Sequence, residues 1–361
     1  MAVVGCYAQT APKELMEIAG VNLVIGTKDR AQIVEMVEQY DRANGVENHV
    51  SDSMKERVFE PLSIQKLANR TRAYLKIQDG CSQYCSYCII PYARGPIRSR
   101  EPQEVVAEVK RLAENGFKEV VLTGIHVASY GKDRRDTSLL DILKQVHEVE
   151  GIERIRFSSI EPNFATEEFV SELAKLPKVC DHFHISLQSG CNKTLKRMNR
   201  KYTAEQYIES AERLKKYFPN VAFTTDIIAG FPGETEEDFA QTMDVVKKVE
   251  YDSAFTFIYS KRTGTPAAAM EEQVDEAVVK ERFDRLLAKV QEIAAKKAAE
   301  DVGKVEEVLV EEINDHDATL VTGRTSKNYL VHFKGDKSLI GSIVDVKLCE
   351  SKGFYYIGEL A

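Results

Sequence analysis

The chain has 361 residues, 43% of them hydrophobic and 29% charged, with a net charge of −8: ordinary globular composition, with room for two or three domains. That balance excludes a surface coated in basic residues, yet leaves room for a local basic face on nucleic acid. Seven cysteines, an odd number with three bunched between residues 81 and 88, argue against a disulfide framework; with no apolar run of about 18 residues and no basic-then-apolar N-terminus, the expectation is a cytoplasmic protein.

Residues 1–65 form a short opening segment in which GVNLVIGT (20–27) reads as a strand and RAQIVEMVEQY (30–40) as a helix. From Arg72 six runs rich in β-branched and aromatic residues (72–77, 119–124, 154–159, 182–187, 222–230 and 253–259) alternate with amphipathic stretches. One of these, EPQEVVAEVKRLAENG, carries Gly116 as its stop. Strands joined by helical crossovers predict a parallel sheet, either doubly wound or a partial barrel. A long charged helix over 271–303 closes this central domain, 66–300, and the tail at 301–361 changes pattern to five short strands without a helix, an OB-like barrel. Within the tail, TGRTSKNYLVHFKGDK (322–337) interleaves Arg324, Lys327 and Lys334 with Tyr329 and Phe333. That mixture suits backbone tracking and base stacking, and it suits a solvated hairpin with core aromatics equally well.

The densest chemistry lies in KIQDGCSQYCSYCIIPYARGPIRSR (76–100), where Cys81, Cys85 and Cys88 are spaced C-x3-C-x2-C directly after the first strand of the central domain. Such a loop can place thiolates on all but one iron of a cubane cluster and leave the last iron open for substrate. Zinc completed by a distant histidine is the competing reading, although no second C-x2-C half follows. Downstream, Arg94, Arg98 and Arg100 could neutralise a cluster, meet phosphate, or pair with acids such as Glu101. KTLKRMNRKYT (193–203) reads as a phosphate contact or a solvated helix face.

The cysteine spacing, with Tyr87 before the last cysteine, resembles the radical S-adenosylmethionine (SAM) enzymes. The longer phrases CSQYCSYCIIPYARGPIRSR, TGIHVASYG, FSSIEP, ISLQSGCNKTLKRMNRKYT and DIIAGFPGETEEDF are similar to the methylthiotransferase branch, and among these to the enzymes that thiomethylate threonylcarbamoyladenosine at position 37 of tRNA. The resemblance implies a partial (β/α)6 TIM-like barrel, a truncated N-terminal α/β segment and a C-terminal TRAM domain. It also implies a [4Fe-4S] cluster on Cys81, Cys85 and Cys88 whose open iron holds SAM, split on reduction to a radical that removes an inert hydrogen. SAM contacts would come from Tyr87 and from the strand ends at Thr123, Gly124, Ser159, Glu161, Gln188, Gly230, Gly233 and Glu234; each glycine taken alone is also a strand-to-helix turn. RNA contacts would come from Arg94, Arg98, Arg100, Arg324, Lys327, Tyr329, Phe333 and Lys334. The implied partners are tRNA and an electron donor such as flavodoxin or ferredoxin, with neither membrane nor DNA. Isopentenyladenosine in tRNA or an aspartate of a ribosomal protein is the substrate of sister branches.

Family members carry a second [4Fe-4S] cluster on an N-terminal domain, and here only Cys6, in GCYAQ, matches one of its ligands. The resemblance implies a tRNA methylthiotransferase that converts N6-threonylcarbamoyladenosine at position 37 to its 2-methylthio derivative; the alternative, for a chain that lacks most of that domain as written, is a protein that cleaves SAM or binds tRNA without inserting sulfur.

Overall fold

The computed structural model describes residues 1–41, 43, 45–60 and 71–361, so the boundary expected between residues 65 and 66 falls outside it. Among the described residues no helix is long and apolar enough to cross a membrane. At the N-terminus β1 (Ala2–Val4), β2 (Leu23–Ile25) and β3 (Glu47–His49) form a parallel sheet in that order. Short helices α1 (Cys6–Thr10) and α2 (Pro12–Met16) precede β2, and α3 (Ile33–Gln39) follows it. Ala8, Leu15, Val21 and Val24 supply a small core. The strand and helix read over 20–27 and 30–40 are β2 and α3, the latter entered through a 3-10 turn at Arg30–Gln32.

The central domain contains the expected strands: β4 (Arg72–Asp79), β6 (Glu119–Gly124), β7 (Arg154–Phe157), β8 (His182–His184), β9 (Ala222–Ala229) and β10 (Ser253–Ile258). A two-residue strand, β5 (Arg98–Ser99), pairs antiparallel with β4 and was too short to show in the sequence. The two parallel sheets β4-β6-β7 and β8-β9-β10 are joined by a parallel bridge between Ile160 and Ile185. The result is an open arc, the partial barrel that the resemblance implies. Helix α4 (Ile90–Arg94) follows the cysteine loop. The crossovers are α5 (Pro102–Glu114), α6 (Leu139–His147), α7 (Glu167–Leu173), α8 (Asn192–Arg197), α9 (Ala204–Tyr217) and α10 (Glu236–Val249), and α11 (Glu276–Glu300) packs along β10. Gly116 ends α5 at a φ of 86°, a left-handed position glycine adopts without strain. Thr235 opens α10 with a reciprocal capping box to Asp238.

Alternation along each strand divides the arc into two faces. Leu75, Ile77, Val120, Leu122, Ile155, Phe157, Phe183, Ile185, Phe223 and Ile227 pack against the helices in one core. Their neighbours of opposite parity, including Tyr74, Lys76, Val121, Arg156, His184, Asp226 and Phe255, face the lumen.

At the C-terminus β11 (Val305–Ile313), β12 (Leu320–Thr325), β13 (Leu330–Lys334), β14 (Ile343–Ser351) and β15 (Tyr355–Leu360) close into a barrel in the order β11-β12-β13-β15-β14. Closure removes the edge strands. This small barrel caps the N-terminal ends of the arc's strands. Arg154 donates to the carbonyls of Arg324 and Glu307 at 2.9 and 2.7 Å, Arg156 Nη2 donates to that of Ser326 at 3.0 Å, and Arg72 Nε meets Glu311 at 2.6 Å.

That docking corrects the reading of the 322–337 hairpin. Phe333 is fully buried in the barrel core and stacks on no base. Lys327 is buried against Asp301 and Glu306, both at 3.1 Å, and the Tyr329 hydroxyl donates to Asp252 of the central domain. Arg324 pairs with Glu311 at 3.3 Å and donates to the Asn328 carbonyl at 3.0 Å. Of the residues proposed there for RNA, Lys334 is the one that faces solvent. Within this hairpin Tyr329 and Lys327 tie the barrel to Asp252 and Asp301 of the preceding segments.

Candidate active site at the cysteine loop

The loop after β4 is fixed by contacts that owe nothing to its thiols. Gly80 has a φ of 70° and sits so close to the Pro96 carbonyl that a Cβ would come within 1.9 Å of it. The Cys81 amide donates to the Gly95 carbonyl at 3.0 Å, and Ser86 donates through N to the Met198 carbonyl and through Oγ to the Arg197 carbonyl. Asn199 Nδ2 reaches the Tyr84 carbonyl at 2.8 Å. The run 193–203, read as a phosphate contact or a solvated face, is in part the clamp on this loop.

Burial pushes the Cys81 thiol up to about 11, with Glu161 among the further causes, and raises Cys88 as well. Metal binding to such thiols must release protons. Arg200 Nη1 donates to Cys85 Sγ at 3.3 Å, and its Nη2 lies 3.0 Å from Glu161 Oε1. Burial would raise the Glu161 carboxyl, but His126 and Arg200 facing it outweigh burial and hold it below the usual carboxylate range. Arg200 lies 115 residues from Cys85 in sequence and went unread for that reason; its signal was the basic run in which it sits. His126, 3.5 Å from Glu161, follows the end of β6 and was also missed.

The expected strand-end residues divide in two. Tyr87 packs edge-on to Phe231 beside Met198 and Ala267, Thr123 is half-buried on the lumen side, and Ser159 and Glu161 lie beyond the end of β7. Gly124, by contrast, is explained by Gln78, whose Oε1 would be 2.7 Å from an added Cβ. That Gln78 oxygen accepts from the His126 amide, and its Nε2 donates to the carbonyls of Asp79 and Gly80. Gly230, at a φ of 75°, has no room for a Cβ against Val279, and its amide is taken by Glu234 Oε1 at 3.1 Å. Arg282 meets the same Glu234 oxygen at 3.1 Å; burial lifts the Glu234 carboxyl to about 7 while Gly230 and Arg282 draw it back. Gly233 lies against the Arg197 guanidinium. These residues are accounted for by the β9–α10 turn. Gln188, with a φ of 65°, continues the β8 ladder by donating to Asp226 O and accepting from the Ile228 amide.

The arginines after the loop also turn inward. Arg98 is buried, donates to the carbonyls of Arg94 and Pro96, and lies 3.6 Å from Asp79. Arg100 is buried on Glu108 at 2.7 Å, while Glu101, the acid expected beside it, pairs with Arg134. Neither guanidinium is presented to a phosphate from solvent. Arg94 donates through Nε to Cys6 Sγ at 3.2 Å, so the N-terminal unit brings its cysteine against the helix that follows the cluster loop.

Sequence comparison accords with this geometry. Residues 75–246 match the model of the radical SAM superfamily, and residues 299–361 match the TRAM domain. A tRNA-2-methylthio-N(6)-dimethylallyladenosine synthase of Lachnoclostridium phytofermentans is 47% identical over all of this chain and 79% of its own length. The threonylcarbamoyladenosine tRNA methylthiotransferase MtaB of Bacillus subtilis is 45% identical over 99% of this chain and 80% of its own length. The chain belongs to the radical SAM methylthiotransferase family. Among solved structures, the radical SAM coproporphyrinogen III oxidase of Escherichia coli is similar at a TM-score of 0.47 and 13% identity, covering 73% of this chain and 68% of that one.

Radical SAM methylthiotransferases use a [4Fe-4S] cluster and SAM, and the residues present fit both. A cubane asks each thiolate to meet a different iron, which suits three cysteines spread along one loop. For SAM, buried polar atoms stand without hydrogen-bond partners among the described residues at the same end of the arc: Ser158 Oγ beyond β7 and the Tyr259 hydroxyl beyond β10.

Proposed function

We propose that this chain is a tRNA methylthiotransferase acting at C2 of an N6-modified adenosine at position 37. The observation that carries the reading is the three-thiol loop with Arg200 on Cys85 and Glu161 beside it, at the mouth of an open arc to which a TRAM barrel is docked. Cys81, Cys85 and Cys88 would hold the cluster, which when bound makes one-electron cleavage of SAM available at the loop. Arg200 supplies positive charge to the Cys85 sulfur, and Glu161, held ionised by Arg200 and His126, offers carboxylate oxygens to a SAM ammonium. Among the described residues the Ser158 and Tyr259 hydroxyls are left to orient the remaining polar groups.

The substituent on N6 is the finer question. Likeness of motifs favours threonylcarbamoyl, which the Bacillus subtilis relative's name also supports, whereas the Lachnoclostridium phytofermentans relative acts on a dimethylallyl base. The test of the function is anaerobic reconstitution of the full chain followed by assays of iron, sulfide and 5′-deoxyadenosine, together with nucleoside analysis of tRNA from a deletion strain carrying this gene. Iron and sulfide near a 1:1 ratio, SAM cleavage and restored 2-methylthio-adenosine are expected. Bound RNA without SAM cleavage would instead identify an RNA-binding protein.

A further inference from the structure

The tRNA methylthiotransferase reading leaves the N6 substituent unassigned, and the open side of the arc carries residues able to choose. Partnered residues of a parallel pair point to the same face. The pairs Asp226↔Phe255 and Ile228↔Phe257 therefore put both phenylalanines on the lumen wall, with His184↔Thr224↔Ser253 one step below. Phe255 is 57% and Phe257 49% exposed, on a strand that ends the arc. The Phe255 ring lies 5.9 Å from that of His184. Below them a cavity of about 530 Å³, lined by His184, Thr224, Phe255, Leu330 and Phe354 among others, runs from the lumen wall to the terminal barrel.

The middle of this wall carries a carboxylate, Asp226. Asp226 Oδ2 accepts from His184 Nε2 at 2.9 Å and from Ser186 Oγ at 3.3 Å, while among the described residues Oδ1 accepts nothing. The lumen cations are already engaged: Lys76 by Asp79, and Arg156 by Glu119 at 3.0 Å and the Ser326 carbonyl. An incoming carboxylate would face Asp226 with no free cation from these strands.

In adenine, C2 and C6 flank N1. A base with C2 toward the cysteine loop therefore turns its N6 substituent aside from that loop and onto the wall. A dimethylallyl group is neutral and apolar; a threonylcarbamoyl group ends in a carboxylate. We propose that Phe255, Phe257 and Asp226 are specificity-determining residues, the phenylalanines packing against a dimethylallyl-type substituent and Asp226 excluding the carboxylate-bearing one. This inference rests on the tRNA reading and reverses the substrate favoured by motif likeness.

The test is fluorescence anisotropy of the reconstituted full chain with labelled anticodon stem-loops bearing adenosine, dimethylallyladenosine or threonylcarbamoyladenosine at position 37. The dimethylallyl RNA should bind roughly 10- to 100-fold more tightly than the threonylcarbamoyl RNA. The double variant Phe255→Ala/Phe257→Ala should remove most of that preference, Phe255→Leu/Phe257→Leu should keep it, and Asp226→Asn should strengthen binding of the threonylcarbamoyl RNA alone. Equal or tighter binding of the threonylcarbamoyl RNA by the unaltered chain overturns the proposal, as does a preference unmoved by both the alanine and asparagine variants. If none of the three RNAs binds better than an unrelated hairpin, the tRNA reading itself falls, an outcome distinct from loss of preference.

Discussion

Two stretches of this chain combine basic with aromatic residues and use them differently: 322–337 has one arginine, three lysines, Tyr329 and Phe333, and 81–100 has three arginines and three tyrosines. In the hairpin 322–337 Arg324 is paired with Glu311, Lys327 with Asp301 and Glu306, and Tyr329 with Asp252, while Lys334 faces solvent. In the stretch 81–100 the arginines are similarly occupied, but Cys81 and Cys88 lie on a clamped loop with their thiols free. Basic and aromatic composition cannot tell a docking face from a ligand face. What distinguishes them is which polar atoms are left without partners once the fold has formed.

The comparison can be broken at its strongest point first. Replacing Cys81, Cys85 or Cys88 with alanine should abolish iron incorporation and SAM cleavage while leaving the fold intact, because the loop's backbone contacts do not involve sulfur; iron analysis, product chromatography and circular dichroism read the three quantities. Lys327→Met should then act on stability instead of binding. Asp301 keeps Lys304 at 2.6 Å while Glu306 loses the Lys327 cation, a change that costs about 1–3 kcal/mol in denaturant titration, while the salt dependence of tRNA affinity keeps its slope.

A smaller effect separates the buried wall from the surface. His182 is held neutral, mainly by burial and further by Arg156, His184 and Arg324. Below the free-histidine value of about 6.5 the unfolded chain takes up a proton that the folded one refuses. Stability contributed by the neutral ring is thus full above that pH and lost below it. Relative to His182→Gln, the wild type should lose roughly 1.4 kcal/mol per pH unit, measured by urea titration at successive pH values. Smallest of all, Lys334→Met should change stability by under about 0.5 kcal/mol; if Lys334 meets phosphate, it should lower the salt slope of tRNA binding by about 1.

The arc was legible because each of its six parallel strands is a run of β-branched and aromatic residues, and the terminal barrel because its strands are separated by turn residues. β5 was not, since two residues carry no periodicity. The cysteines announced themselves by spacing, whereas Arg200 became a neighbour of Cys85 only when the loop after β8 folded back across the mouth of the arc. Glycines at strand ends pointed to a cofactor, yet Gly124 and Gly230 answer to Gln78 and Val279, close approaches that no local pattern encodes. Phe255 and Phe257 were read as strand formers. Their side of the sheet is settled by register with β9, a relation between segments about thirty residues apart.

The arc ends at β10 without closing on β4. A complete ring must be threaded, so a group tethered at both ends to a polymer can enter it only through an end. A slit can be entered from the side. With the lower end stopped by the terminal barrel, the proposed substrate would enter through the gap along β10, a single base swinging in laterally while the strand on either side of it stays outside and unbroken.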